Sequence, residues 1–285
     1  MIGERVRAGI FRAAVASGTI VVGFAALLVV LAAGCRRTPG PLTEALLATG
    51  GPTDQARADL DGVARRVEVA LRARPGVPAG QVMSEVVFGE LGFSREVDDP
   101  DPRFMRLPAV LADRRGSCYG LAALFVALGE RLGPVHGFSV AGVLVPGHFF
   151  VRVTDRAGAR NVELLRRGEA MPEAWYRQRY QVPPHGAPAY LRPLAARELL
   201  AVFDYNLGND LRIRGRLAES AAAYARAARA FPDFAEAHAS LGLVRHLLGA
   251  LPEAMRAYQA ARVANPHLPG LDTNIAVLSR ELRAP

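Results

Sequence analysis

RGSCYGLAALFVALGERL (115–132) and, six residues on, FSVAGVLVPGHFFVRV (138–153) are the stretches on which the fold is read. From Cys118 the first is almost wholly apolar, which predicts a helix buried over most of its circumference. Gly116 and Ser117 precede it, and Ser117 is a natural N-cap. The second contains two strand-like runs, Phe138–Val145 and Phe149–Val153, joined by Pro146-Gly147-His148. A third short run is Asn161–Leu165. A helix followed by strands predicts an α+β arrangement.

Upstream, Leu60, Val63, Val67 and Leu71 recur at helical spacing until Pro75-Gly76 stops them. A further helix is expected over Ala79–Leu91. Asp98–Pro102 reads as a loop, and Pro108–Ala112 leads into the Cys118 segment. Residues 36–54 carry the breakers Pro39-Gly40-Pro41 and Gly50-Gly51-Pro52, which read as a tether with a short helical turn at Leu42–Leu47. Downstream, residues 201–234 and 235–268 repeat at an offset of 34. Leu207, Gly208, Gly215, Tyr224, Ala227 and Pro232 recur as Leu241, Gly242, Gly249, Tyr258, Ala261 and Pro266. Period and residue types resemble the tetratricopeptide repeat, a helix–turn–helix unit. The pattern departs from that family at Asp204 and His238, and at Leu211 and Arg245, where aromatic residues are usual. Residues 269–283 read as a capping helix. Two repeats are marginal alone, so they are expected to pack on the preceding domain.

Composition narrows the chemistry. With 51% hydrophobic and 22% charged residues the 285-residue chain can bury a core, and general disorder is excluded. Two cysteines, Cys35 and Cys118, exclude a disulfide framework or a Cys-rich zinc site. Every one of the 35 basic residues is Arg, so Schiff-base chemistry and a P-loop lysine are excluded. No metal or cofactor signature is present. The net charge of +8 is read as an Arg-rich solvated surface rather than a nucleic-acid footprint.

What remains is one thiol with an imidazole and a carboxylate. Cys118 lies in the first turn of its helix, where unpaired N–H groups and the helix dipole favour a thiolate. His148, at the start of a strand, is placed to take the thiol proton. Asn161 and Glu163, two apart and so on one strand face, are the candidates to hold the ring in its tautomer. RGSCYGL (115–121), PGHFFVR (146–152) and NVE (161–163) resemble, in order and context, the core of the transglutaminase-like family. The span Leu91–Asp210 is similar to its bacterial branch with a tetratricopeptide tail. The resemblance implies a papain-like fold, with the Cys-bearing helix packed on a small antiparallel sheet, and Cys118 as nucleophile, His148 as base and Glu163 as orienting acid.

The amino terminus reads as an address. Arg5, Arg7 and Arg12 precede the uncharged run 13–33, which ends in Leu31-Ala32-Ala33-Gly34-Cys35. This resembles a bacterial lipoprotein signal, which implies cleavage before Cys35 and lipidation of that residue. Losing Glu4 and the three arginines brings the net charge from +8 to +6. Since no Asp follows Cys35, the resemblance favours an outer-membrane anchor facing the periplasm. The expected division is 1–34 signal, 35–54 tether, 55–194 transglutaminase-like domain and 195–285 repeats. The function expected is a lipid-anchored envelope thiol enzyme acting on amide or ester groups of a peptide or protein. Its repeats are expected to bind a protein partner. The other reading is a catalytically retired domain acting as an envelope scaffold.

Overall fold

Ser117 closes the start of the central helix: its hydroxyl accepts from the Gly120 N–H at 3.1 Å, and the helix, α5, runs Cys118–His136 until Gly137 ends it in a left-handed conformation. The computed structural model describes residues 40–50, 53–95 and 101–283. The signal read over 1–34, the lipidation position Cys35 and the first part of the tether lie outside these residues, as does most of the loop at 98–102.

Every residue of α5 from Tyr119 to Gly129 is buried, so the helix is the core around which the other elements pack. Before it come α1 (Pro41–Leu47), α2 (Thr53–Ala73), α3 (Ala79–Ser84, continuing as a π-helix over Glu85–Glu90) and α4 (Leu107–Asp113). Leu60, Val63, Val67 and Leu71 are the buried stripe of α2, as their spacing predicts. Two residues, Ser94–Arg95 (β1), pair in parallel with Arg115–Gly116 (β2) just ahead of α5.

Within the segment read as a tether, α1 falls where a short helical turn was expected, at Leu42–Leu47. From Gly40 onward the chain is held, with Thr43, Leu46 and Leu47 of α1 buried. Glu130 of α5 accepts from the Thr43 N–H at 2.8 Å and from the Leu42 N–H at 3.3 Å. It thereby satisfies first-turn donors that α1 cannot satisfy itself.

Following α5, four antiparallel strands form one sheet in the order β3 (Ser139–Val145), β4 (His148–Asp155), β5 (Gly158–Glu163) and β6 (Glu169–Met171). Val145 pairs with His148 across the two-residue turn Pro146-Gly147, with Gly147 at φ 68°. This register fixes the faces. Phe149, Val151 and Val153 point one way; His148, Phe150 and Arg152 point the other. Phe149 meets Tyr119 of α5, with ring centroids 5.6 Å apart. On the opposite face lies α6 (Glu173–Arg179), whose Tyr176 ring stacks on Phe150 at 3.8 Å.

The rest is helical: α7 (Ala196–Ile213), α8 (Leu217–Ala230), α9 (Ala235–Leu247), α10 (Leu251–Ala264) and α11 (Leu271–Glu281). α7–α8 and α9–α10 are two hairpins at the 34-residue offset. Gly208 lies directly against the Tyr224 ring, and Gly242 against Tyr258. No seam separates these helices from the sheet-bearing part. Leu191 N–H donates to Leu144 O and Leu194 N–H to Gly142 O, so the connecting segment pairs with β3. The buried Tyr119 hydroxyl donates to Leu199 O at 3.1 Å. Leu199, Val202, Phe231 and Phe234 share one apolar core with α5.

The close helix contact yields a test. A Cβ at residue 242 would sit 2.5 Å from the fully buried Tyr258 ring. Gly242→Ala should therefore lower stability in urea unfolding by about 1–3 kcal/mol through overpacking. At Gly62 of α2 the nearest neighbour is a side-chain tip at 4.0 Å. Alanine there should raise stability, by up to about 1 kcal/mol, through helix propensity. Equal effects at the two positions would contradict the packing described.

Candidate active site

Cys118 is the first residue of α5, and three features fix its position. Ser117 N–H donates to Phe104 O at 3.0 Å, Leu121 N–H to Ser117 O, and Gly120 N–H to the Ser117 hydroxyl. Gly120 lies so close to the Phe104 carbonyl that no side chain fits. With those donors used, the N–H groups of Cys118 and Tyr119 are the unclaimed donors of the first turn among the described residues. Cys118 is a free thiol and half-buried.

His148 is buried, and its Nε2 lies 2.8 Å from Glu163 Oε2. Glu163 is 1% exposed and ends β5, one strand over. Its other oxygen accepts from the Leu165 N–H at 3.0 Å, capping the 3-10 turn Leu164–Arg166. Both carboxylate oxygens are thus committed. With Nε2 on Glu163, Nδ1 is the ring nitrogen left, and Cys118 lies near enough to the imidazole to act on its charge.

Of the two acceptors open in the sequence, Glu163 meets the ring and Asn161 does not. Asn161 Oδ1 accepts from Arg152 Nε at 2.8 Å, and Arg152 reaches on to Glu173 of α6 at 3.3 Å. The other five histidines stand elsewhere: His136 near Glu68, His238 on the Pro232 carbonyl, His246 on Glu281, and His185 and His267 in connecting segments.

Sequence reasoning missed the cover. Tyr180, just after α6, lies flat on the His148 ring, with centroids 4.6 Å apart and planes 8° apart. Trp175 stands edge-on to both Tyr176 and Tyr180. Arg152 and Glu173 tie α6 to the sheet beside them. Trp175, Tyr176 and Tyr180 form a local aromatic cluster in the sequence. A three-residue strand and a seven-residue helix are too short to show periodicity, so nothing assigned the cluster to this face.

Electrostatics follow from this arrangement. Burial is the largest single influence on His148 and works against its charge. Hydrogen bonds to Cys118 and Glu163, and the negative charge of both, act the other way and prevail, so the ring's pKa rises from 6.5 to about 9. Burial, reinforced by the Glu163 carboxylate, pushes the Tyr180 hydroxyl up to about 12. The same two causes push the buried Tyr176 hydroxyl upward. That hydroxyl lies near Glu163 but makes no hydrogen bond of regular geometry among the described residues.

A family model described as the transglutaminase-like superfamily matches residues 54–202, more than half of the chain. The chain belongs to the transglutaminase-like superfamily. The matched span runs from the start of α2 into α7 and contains Cys118, His148 and Glu163. It ends inside the shared core rather than at residue 194, in keeping with the packing of α7 on Tyr119. None of the curated proteins compared matches the chain.

The charge state of His148 is directly observable. A raised pKa means that the cation persists through neutral pH and the proton leaves only as pH rises through about 9. Histidine-ring NMR should show His148 as imidazolium at pH 7.5, and Glu163→Gln should bring its midpoint back toward 6.5. A neutral His148 at pH 7.5 in the unaltered protein would contradict the electrostatics described.

Proposed function

We propose that this protein is a lipid-anchored thiol enzyme of the bacterial cell envelope, acting by hydrolysis or acyl transfer on amide or ester groups through Cys118, His148 and Glu163. The observation that carries the reading is the buried His148–Glu163 contact at 2.8 Å, with Cys118 near enough to raise the pKa of the same ring. A ring in this position can take the thiol proton and so generate the nucleophile.

In this reading Cys118 Sγ adds to the substrate carbonyl carbon. Negative charge then develops on the carbonyl oxygen, and the Cys118 N–H at the helix start is placed to meet it. His148 gives its proton to the leaving nitrogen or oxygen as that bond to carbon breaks, leaving a thioester on Cys118. Water, or an amine, then attacks the thioester, with His148 taking the proton and the thiolate leaving. Glu163 acts by holding the ring and opposing its charge. Tyr180, flat on the imidazole, restricts ring rotation and shields the Glu163 contact from water. Since the chain holds no lysine, any lysine acceptor in a transfer reaction comes from another molecule.

The 34-residue hairpins we read as two tetratricopeptide repeats with α11 as the cap, orienting a protein partner or substrate near the site. Their support is the six-position identity and the matching Gly–Tyr contacts. The anchor is supported by the sequence around Cys35. Cys35→Ser should release the protein from membranes to the soluble fraction; retention until detergent is added would argue for an uncleaved helix instead.

Iodoacetamide alkylation tests the chemistry. At pH 6.5–7.5, Cys118 should alkylate at least ten times faster in the unaltered protein than in His148→Ala. The Glu163→Gln variant should fall between them. Equal rates would leave the domain as a retired scaffold and sink the enzyme reading.

A further inference from the structure

A groove of about 250 Å³ lies between α8, α9 and α10. Its charged lining is Arg229, Arg245 and Arg256, joined by the half-buried His238; small side chains, Ala228 and Ala257 among them, form the floor. Among the described residues no carboxylate lines it. Internal repetition shows what is missing. Thirty-four residues earlier, the equivalents of His238, Arg245 and Ala260 are Asp204, Leu211 and Arg226. In that first hairpin the spot is self-satisfied, because Asp204 Oδ1 accepts from Arg226 at 2.6 and 2.9 Å. In the second hairpin the acid is replaced by His238, its arginine by Ala260, and an arginine, Arg245, stands where the first has a leucine.

The cations left there are poorly matched. Arg229 makes no ion pair or hydrogen bond among the described residues. Among the described residues Arg245 hydrogen-bonds the Glu253 carbonyl, at 3.5 Å, and is attracted by the Glu253 carboxylate, which itself pairs with Arg256 at 2.7 Å. His238 lies 2.9 Å from the Pro232 carbonyl through Nε2, and burial lowers its pKa.

We propose that this groove binds an acidic segment of a protein partner, with Arg229 and Arg245 taking a carboxylate and the alanine floor taking a neighbouring apolar side chain. A concave site of this volume, walled by three helices, admits one or two side chains of a peptide and excludes the broad surface of a membrane. Guanidinium groups pair with carboxylates through two parallel hydrogen bonds; in the first hairpin Arg226 directs two donors, Nε and Nη2, onto the single oxygen Asp204 Oδ1. The proposal rests on reading the hairpins as a partner-binding module, and it is independent of the thiol chemistry.

The test uses the purified full chain and the fluorescein-labelled peptide (Glu-Leu)₄, with (Gln-Leu)₄ as control. Fluorescence anisotropy should show saturable binding of the Glu peptide only, weakening with salt. The double change Arg229→Ala and Arg245→Ala should cut affinity at least tenfold and leave Cys118 alkylation unaltered. The ring signals of His238 should shift along the same binding curve. Binding that ignores both arginines and leaves His238 unmoved would overturn the groove and leave the module reading standing. Binding of neither peptide would overturn both. Binding of both peptides with equal affinity would overturn the role of the carboxylate.

Discussion

Glu163 is a buried carboxylate with each oxygen committed to a different task. One holds the Leu165 N–H and so starts the turn that leads to β6 and α6; the other holds His148. A charge at that depth is tolerable only when paired and hydrogen-bonded. Loss of one partner from such a pair costs about 3–5 kcal/mol in stability. The turn that Glu163 caps sends the chain back over the same face of the sheet, where Tyr176 stacks on Phe150 and Tyr180 on His148. The residues that orient the imidazole and those that cover it therefore belong to one continuous segment, from β5 through Tyr180.

The thiol side is fixed by packing rather than by charge. α5 is buried along most of its length, and its first turn is held by Ser117, by the Phe104 carbonyl and by the absence of a side chain at Gly120. Tyr119, next to the thiol, donates to Leu199 of α7. The helical hairpins are thus braced against the turn that carries Cys118. At the far half of α5, Glu130 caps α1 and ties down the amino-terminal side of the fold. One helix links the site, the hairpins and the segment that leads toward the amino terminus.

Much of this was legible in the sequence where a pattern ran long enough to be periodic. α5, the α2 stripe, the β3–β4 hairpin around Pro146-Gly147 and the 34-residue repetition all carry several residues in phase. Cys118 and His148 were readable because each stands at an element boundary marked by Ser117 or by Gly147. The choice between Glu163 and Asn161 was not readable, since both lie on one strand face; Arg152 decides it by taking Asn161. α6 and β6 are too short to announce themselves. The packing of α1 depends on Glu130, 87 positions from Thr43, and local composition there is that of a linker. Likewise the continuous core across residue 194 arises from tertiary contacts of Leu199 and Phe231, which no local signal encodes.

In the proposed function the buried His148–Glu163 pair makes Cys118 a nucleophile able to carry an acyl group. The most direct measurement is intact-mass and peptide mass spectrometry of the protein after brief exposure to p-nitrophenyl acetate. The absence of lysine keeps background acylation low. A single acetyl group is expected on Cys118, removable by hydroxylamine as a thioester. It should be absent in Cys118→Ala and strongly reduced in His148→Ala. Acylation spread over other residues, or equal acylation of Cys118 with and without His148, would contradict it.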